Sequence, residues 1–349
     1  MDVSPLVWSL TVVAVLGLIT FDFFAHVRKA HEPSFGESAR WSLFYIGLAV
    51  VFGVGVGVVA GWGTGSEYFA GYVTEKSLSV DNLFVFLIIM TKFAVPRASQ
   101  QKVLLVGVVI ALVLRTVFIL LGAAAIERFS WVFYVFGAFL IYTAIKLVRE
   151  HHDPEHAPDP STKKDSIAVR LVKRVVPTTD HYDGDRMITR VDGRRMMTPM
   201  LLVMVAIGST DILFALDSIP AIYGLTREPY IVFTANAFAL LGLRQLYFLI
   251  GGLLERLVYL SQGLSVILGF IGVKLILEAL HTNELPFING GEHVDWAPEI
   301  PIWLSLTVIL GTLAIATVAS LIATRDERRG GDGDAGAGDV TDVPDAVGR

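Results

Sequence analysis

The sequence contains no cysteine among its 349 residues. Disulfide bonds and thiolate metal sites are therefore excluded. Charged residues are scarce, since Asp, Glu, Lys and Arg make up only 17% of the chain while 54% is hydrophobic. The sequence also lacks a GxxxxGK[ST] nucleotide-binding loop, and no pair of nucleophile and base stands out. We therefore expect neither ATP hydrolysis nor another enzymatic activity, no bound cofactor, and no nucleic-acid partner.

Long apolar runs predict nine transmembrane helices, because roughly 20 apolar residues cross a hydrocarbon core of about 30 Å. These spans lie at 6–26, 42–62, 76–95, 103–123, 131–148, 199–221, 231–251, 257–278 and 301–323. The first run has no cationic residue before it and no cleavage pattern after it, so a retained span is expected rather than a signal peptide. The predicted fold class is an all-α polytopic membrane helix bundle over residues 1–323, in contact with the lipid bilayer.

Positive residues are distributed unequally between the two predicted sides of the membrane. With alternating crossings, one side carries 21 Lys and Arg residues, and the other side only Arg128 and Arg227. Without the ten in the long segment 149–198, the ratio is still 11 to 2. Since cytoplasmic loops carry the excess of Lys and Arg, the N-terminus is predicted outside and the C-terminus inside the cell membrane. Residues 149–198 then form a cytoplasmic loop, and 324–349 a disordered cytoplasmic tail.

An internal repeat organises the middle of the chain. "EKSLSVDNLFVF" aligns with "DILFALDSIPAI", and similar correspondences follow in the next two spans of each copy. The matched pairs are Glu75 with Asp211, Asp81 with Asp217, Arg115 with Arg244, and Lys146 with Lys274. Repeat one covers about 75–148 and repeat two about 199–278. Because three crossings is an odd number, the copies are predicted to have inverted topology, an architecture of transporters whose ligand sites lie at the midplane.

Carboxylates inside apolar runs are costly, about 2.5–3.5 kcal/mol each at a helix centre, and therefore indicate function. The predicted metal site combines acids and neutral oxygens of both repeats. Its residues are Glu75, Asp81, Asn82, Asp211, Asp217 and Ser218. Oxygen ligands without sulfur favour hard divalent cations such as Mn²⁺, Mg²⁺ or Ca²⁺. The structural alternative is a set of buried ion pairs in which Arg115 and Arg244 are the counter-charges.

Two acids six residues apart lie on different faces of a regular helix, about 9 Å apart along its axis. Gly208 and Pro220, on either side of the second acidic pair, therefore predict a break or kink that would turn both acids into one cavity. Among other polar residues, Asp22 is a further candidate or merely interfacial, and Asn236 either donates to the carboxylates or holds helices together.

Three charged residues receive separate predictions. Lys146 and Lys274 lie near helix ends and are expected to anchor the helices at the interface. Glu67 is placed in an outer connection, 63–75, where a role in cation entry is conceivable.

Four sequence stretches resemble the TerC family of integral membrane proteins, including its Alx-type members. They are "HVRKAHEPSFGESARWS", "EYFAGYVTEKSLSVDNLFVF", "ALDSIPAIYGLT" and "EPYIVFTANAFALLGLRQLYFL". The resemblance runs from about Asp22 to about Lys274. It implies a relationship to the LysE-type exporter superfamily and, for several members, manganese efflux. Other members are linked to tellurite resistance, to membrane-protein insertion in thylakoids, or to metal supply for exported enzymes.

One position departs from the family pattern. Many members have a Glu before the Thr-Asp of the second motif, where this chain has Gly208. The expected function is export of a hard divalent cation, most of all Mn²⁺, coupled to protons or sodium. The alternative is a non-transporting membrane scaffold that assists insertion or metal loading of exported proteins, with the loop 149–198 as the docking surface for membrane or cytoplasmic proteins.

Overall fold

The computed structural model describes residues 3–27, 33–129 and 131–152, 178–250 apart from 180, 185, 192 and 193, and 259–334 apart from 282, 284, 286, 287, 290, 291, 293 and 295. Within these residues the fold is an all-α bundle with one small β-hairpin. The helices are α1 (Pro5–Asp22), α2 (Phe35–Ala60), α3 (Trp62–Lys92), α4 (Arg97–Arg128), α5 (Val132–His152), α6 (Pro199–Tyr223), α7 (Pro229–Leu240), α8 (Leu243–Ile250), α9 (Leu260–His281) and α10 (Ile302–Asp334). A π-helical turn, Phe23–Val27, continues α1.

Eight helical segments of the described residues are long and apolar enough to cross a membrane. They correspond to the predicted spans except for the third, and α7 and α8 together form one of them. The remaining helix, α3, is 31 residues long but carries Glu67, Glu75, Lys76 and Asp81. It packs against α2, α6, α7 and α10, so protein surrounds these charges on several sides. The third predicted span, 76–95, therefore belongs to a central, charged helix that is not one of these eight.

The boundaries of α3 correct one prediction. The helix begins at Trp62, so the predicted outer connection 63–75 is helical and Glu67 is part of α3. Gly61, with a φ of 95°, is the only residue between α2 and α3. A positive φ costs little at glycine, which allows this short reversal. The hairpin then packs closely, because a Cβ on Gly65 would lie 2.8 Å from the Cα of Gly57.

The predicted break around Gly208 and Pro220 is wrong. Helix α6 is continuous from Pro199 to Tyr223 and is not unwound there, although Pro220 within it lacks the N–H that would bond to the preceding turn. Gly208 serves close packing instead, since a Cβ there would lie 3.2 Å from the side chain of Ile110 in α4. The interruption occurs in the next span, where Leu241 and Gly242 separate α7 from α8.

Helix α5 crosses α9 at two glycines. A Cβ on Gly137 would lie 2.8 Å from the carbonyl oxygen of Gly272, and a Cβ on Gly272 would lie 2.9 Å from that of Gly137. Close backbone approach at small residues is a common mode of helix association in membranes, where lipid provides no hydrophobic force between helices. The third helices of the two predicted repeats are thus in direct contact.

Part of the predicted polar loop and tail has regular structure. Ile188–Val191 and Arg194–Met197 form an antiparallel hairpin, β1 and β2. The hydroxyl of Tyr182, just before it, donates to the backbone oxygen of Phe93 at 2.6 Å and so ties this region to the end of α3. The last helix extends to Asp334, beyond the predicted end of the last span. Residues 153–177 and 335–349 lie outside the described residues.

Candidate functional site

A buried cluster of three charges lies between α3, α4 and α6. The Arg115 guanidinium pairs with Glu75 through Nη1, and its Nη2 lies 3.4 Å from Oδ1 of Asp211. Arg115 and Glu75 are 0% exposed and Asp211 is 2% exposed. Each residue lies near the middle of its helix, so the cluster lies at about half the height of the bundle. The two acids are the matched positions of the predicted repeats, and they share one arginine.

The arginine leaves part of both carboxylates unsatisfied. Oε2 of Glu75 and Oδ2 of Asp211 are buried without a hydrogen-bond partner among the described residues. Ser79 donates to Oε1 of Glu75 at 3.4 Å, one turn along α3. If both acids are ionised, the cluster carries one excess negative charge. An excess charge away from water is unfavourable, and either protonation of one acid or a bound cation would offset it.

Further buried oxygens come from predicted site residues. Asn82 is 7% exposed, Ser218 is 1% exposed and Asn236 is 1% exposed. The hydroxyl of Ser218 and both polar atoms of the Asn236 side chain have no hydrogen-bond partner among the described residues. Carboxylate, hydroxyl and amide oxygens are the ligand types that hard divalent cations prefer.

The directions of the helices decide how the remaining acids are arranged. Gly71 of α3 lies against Ile222 of α6, whereas four residues later Glu75 meets Asp211 through Arg115. Helices α3 and α6 therefore run antiparallel. Asp81 and Asp217 each lie six residues beyond their partners, so their backbones lie about 9 Å from the cluster on opposite sides of it. Along the height of the bundle, the central cluster therefore lies between Asp81 and Asp217.

The side chains of Asp81 and Asp217 lie outside the described part of the structure. Among the described side chains, no group of three or more His, Asp or Glu residues is arranged to hold a metal ion. The contribution of Asp81 and Asp217 as metal ligands therefore stays a prediction.

The second predicted counter-charge, Arg244, has a partner that the sequence did not indicate. Its Nη2 lies 2.8 Å from Oδ1 of Asp22, and its Nη1 donates to Oε1 of Gln101 at 2.8 Å. Asp22 is 6% exposed, so protein surrounds its side chain. The only available hint was an acid within the apolar stretch "FDFFAH". The matched arginines thus have different roles, one in the centre and one near the end of α1.

A third charged group lies near the opposite ends of the helices. Lys274 is buried, and its Nζ donates to Oγ of Ser305 at 3.4 Å, so the predicted interfacial anchor is wrong for this residue. Its repeat counterpart, Lys146, is exposed. The hydroxyl of Thr226 donates to Glu67 at 2.6 Å, and the neighbouring Arg227 pairs with Glu278. Helix packing around α10 explains the difference, because the side chain of Lys274 faces α10 rather than lipid.

The model of the integral membrane protein TerC family matches residues 60–328. This chain belongs to the TerC family. The match covers both predicted repeats and the central cluster, and begins after Asp22. Together with the eight candidate spans, it identifies a multi-pass integral membrane protein.

Relatives within the TerC family extend over most of the chain. An uncharacterized membrane protein of Mycobacterium tuberculosis is 54% identical over 93% of this chain and 81% of its own length. Alx of Escherichia coli, which carries the provisional name of a membrane-bound redox modulator, is 36% identical over 94% of this chain and 98% of its own. The thylakoid membrane protein TERC of Arabidopsis thaliana is 44% identical over 71% of this chain and 63% of its own. No solved structure matches the chain.

Proposed function

We propose that this protein exports a hard divalent cation, with Mn²⁺ as the first candidate, along the acids of α3 and α6. The observation that carries the proposal is the shared arginine. Two buried acids from matched positions have this one counter-charge between them, and each acid keeps one oxygen without a hydrogen-bond partner among the described residues. An arriving cation would bind these oxygens, while Arg115 would hold the acids when the cation has left. The family resemblance selects manganese among hard cations.

In this proposal, Asp81 and Asp217 bind the cation before and after it reaches the central cluster. Their positions on antiparallel helices place one on each side of Arg115. With the orientation predicted from the positive residues, the order from cytoplasm to exterior is Asp81, then Glu75 with Asp211, then Asp217. Acids in series let a cation leave one site for the next, which a single tight site would not allow.

Redox chemistry at thiols is not a route to this function, because the chain has no cysteine. The name of the Alx relative therefore does not suggest a thiol mechanism for this chain. An influence on metal-dependent redox balance through cation export remains compatible with that name.

The test is flux of Mn²⁺ into or out of liposomes that contain the purified protein, followed with an enclosed fluorophore that Mn²⁺ quenches. The central variants Glu75→Gln and Asp211→Asn, and the outlying variants Asp81→Asn and Asp217→Asn, should each lower flux by about tenfold or more. A tenfold change corresponds to about 1.4 kcal/mol of binding free energy, and loss of a charged ligand is expected to cost more than that.

Glu127→Gln is the matched control, because Glu127 is an exposed acid at the end of α4, the helix of Arg115. It should leave flux unchanged. Wild-type protein that inserts correctly but moves no Mn²⁺, Mg²⁺ or Ca²⁺ would contradict the proposal and favour the non-transporting scaffold.

A further inference from the structure

Asp22 is the centre of a hydrogen-bond network that joins four helices. Its Oδ1 accepts from Arg244 Nη2 at 2.8 Å, from the hydroxyl of Tyr45 at 3.0 Å and from Gln245 Nε2 at 3.1 Å. Arg244 in turn donates to Gln101. One carboxylate of α1 thus connects α2 and α8 directly, and α4 through the arginine.

Both segments that meet in this ion pair depart from α-helical geometry. The chain enters the π-helical turn Phe23–Val27 directly after Asp22. On the other side, Leu241 and Gly242 interrupt the span two residues before Arg244, and Gly242 has a φ of 80°. π-helical turns and discontinuous transmembrane helices occur often at functional sites. A purely structural ion pair would not require either irregularity.

A small cavity lies beside the ion pair, on the side of Arg244. Its lining includes Glu37 and Ser38 near the start of α2, together with Arg244 and Gln245. Within it, the hydroxyl of Ser38, Oε1 of Gln245 and Nε of Arg244 are buried without hydrogen-bond partners among the described residues. Each of these groups could form a further hydrogen bond that it does not form in this arrangement.

The ion pair lies between this cavity and the central cluster. Gln101 is near the start of α4, and Arg115 lies fourteen residues further along, which is about 21 Å of helix. In the predicted orientation this end of the bundle is the cytoplasmic end. Measured along the helices, Arg244 therefore lies between this end of the bundle and the central acids Glu75 and Asp211.

We propose that Asp22 is a positioning residue that holds Arg244 across the cytoplasmic entrance and so closes the pathway to the central acids. The inference rests on the proposed function for its purpose. Release of Arg244 from Asp22 removes a fixed positive charge from the path and frees a carboxylate that attracts the entering cation. The irregular segments beside both residues provide the backbone freedom for this movement.

The test uses the absence of native cysteine. Ser79→Cys places a thiol beside Glu75, and its rate of modification is measured with a membrane-impermeant, positively charged thiol reagent applied to one face of the membrane at a time. In the Asp22→Asn background, modification from the cytoplasmic face should be about tenfold faster or more, because loss of a buried ion pair shifts the closed-to-open equilibrium. Modification from the outer face should not change.

Charge exchange provides a second variant. Asp22→Arg combined with Arg244→Asp should restore slow modification from the cytoplasmic face. Equal acceleration from both faces would indicate general loosening of the fold and would overturn the proposal, as would unchanged rates in Asp22→Asn. The labelling needs no ion gradient. A protein that moves no Mn²⁺ would therefore refute the proposed function without affecting this result.

Discussion

Arg115 carries one positive charge into a layer that contains two acids. Its side chain is fully buried, and those of Glu75 and Asp211 are buried too. Water therefore cannot replace the arginine as the partner of the two acids. Removing one member of a buried ion pair is expected to cost about 3–5 kcal/mol, since the partner is left as an uncompensated charge. At the scale of single residues, stability and proposed transport therefore depend on the same contacts.

Arg115→Ala should lower the midpoint of thermal unfolding of the purified protein in detergent, and Arg115→Lys should recover it only partly, because lysine lacks the planar fork that reaches two carboxylates. Adding Asp211→Asn or Glu75→Gln to Arg115→Ala should raise the midpoint again. Asp22→Asn is the control for this rescue, because Asp22 pairs with Arg244. Rescue by Asp22→Asn as well would show that the recovery does not report the pairing.

Among the described residues of the predicted repeats, the main departure from regular helices is the interruption between α7 and α8. Gly242 allows it, because its φ of 80° is unfavourable for other residues. Space is restricted too, since a Cβ there would lie 2.9 Å from Cβ of Tyr45. The same tyrosine donates to Asp22, so the interruption and the Asp22–Arg244 pair both contact Tyr45.

Gly242→Ala should destabilise the protein by about 1–3 kcal/mol, from backbone strain and overlap with Tyr45. Gly47→Ala is the matched control, because Gly47 lies in α2 close to Tyr45 but has open space where a Cβ would be added. That change should be neutral or stabilise by about 0.5–1 kcal/mol, as alanine favours helix. Thermal unfolding of both variants checks this pair, and equal effects would argue against a special backbone at Gly242.

At the scale of the whole molecule, charges occupy three levels along the bundle. Asp22 and Arg244 lie near one end, Glu75, Arg115 and Asp211 lie in the middle, and Glu67 with Lys274 lies towards the other end. In the proposed transport, the central cluster lies at the level where alternating-access transporters bind their ligand, and the two outer levels would lie on the paths to it.

The orientation of these levels can be tested with single cysteines. Ser4→Cys and Asn289→Cys should react with an impermeant thiol reagent in intact cells, whereas Asp183→Cys should react only after the membrane is opened. The reason is the excess of Lys and Arg on the side of residues 149–198. Reaction of Asp183→Cys in intact cells would reverse the orientation, and with it the assignment of Asp22 to the cytoplasmic entrance.

The amino-acid sequence alone is enough to predict the class of protein, the positions of most spans and the acids in the middle of the helices. These features follow from local composition, because the cost of placing a polar or charged group in hydrocarbon is paid residue by residue. The sequence-based prediction failed at α3, where charged residues led to the first half of the helix being assigned to a connection. It also failed at Gly208, which was interpreted as a helix break although it allows close contact with Ile110.

Which charges meet depends on how the helices pack. The sequence assigned both arginines to the same set of acids, but Arg115 takes Glu75 and Asp211 while Arg244 takes Asp22. Asp22 and Arg244 are 222 residues apart in the chain, and no spacing rule connects them. The physical reason is that a buried charge selects its partner by the packing of neighbouring helices, and that packing depends on close approach at glycines and on helix direction rather than on local sequence.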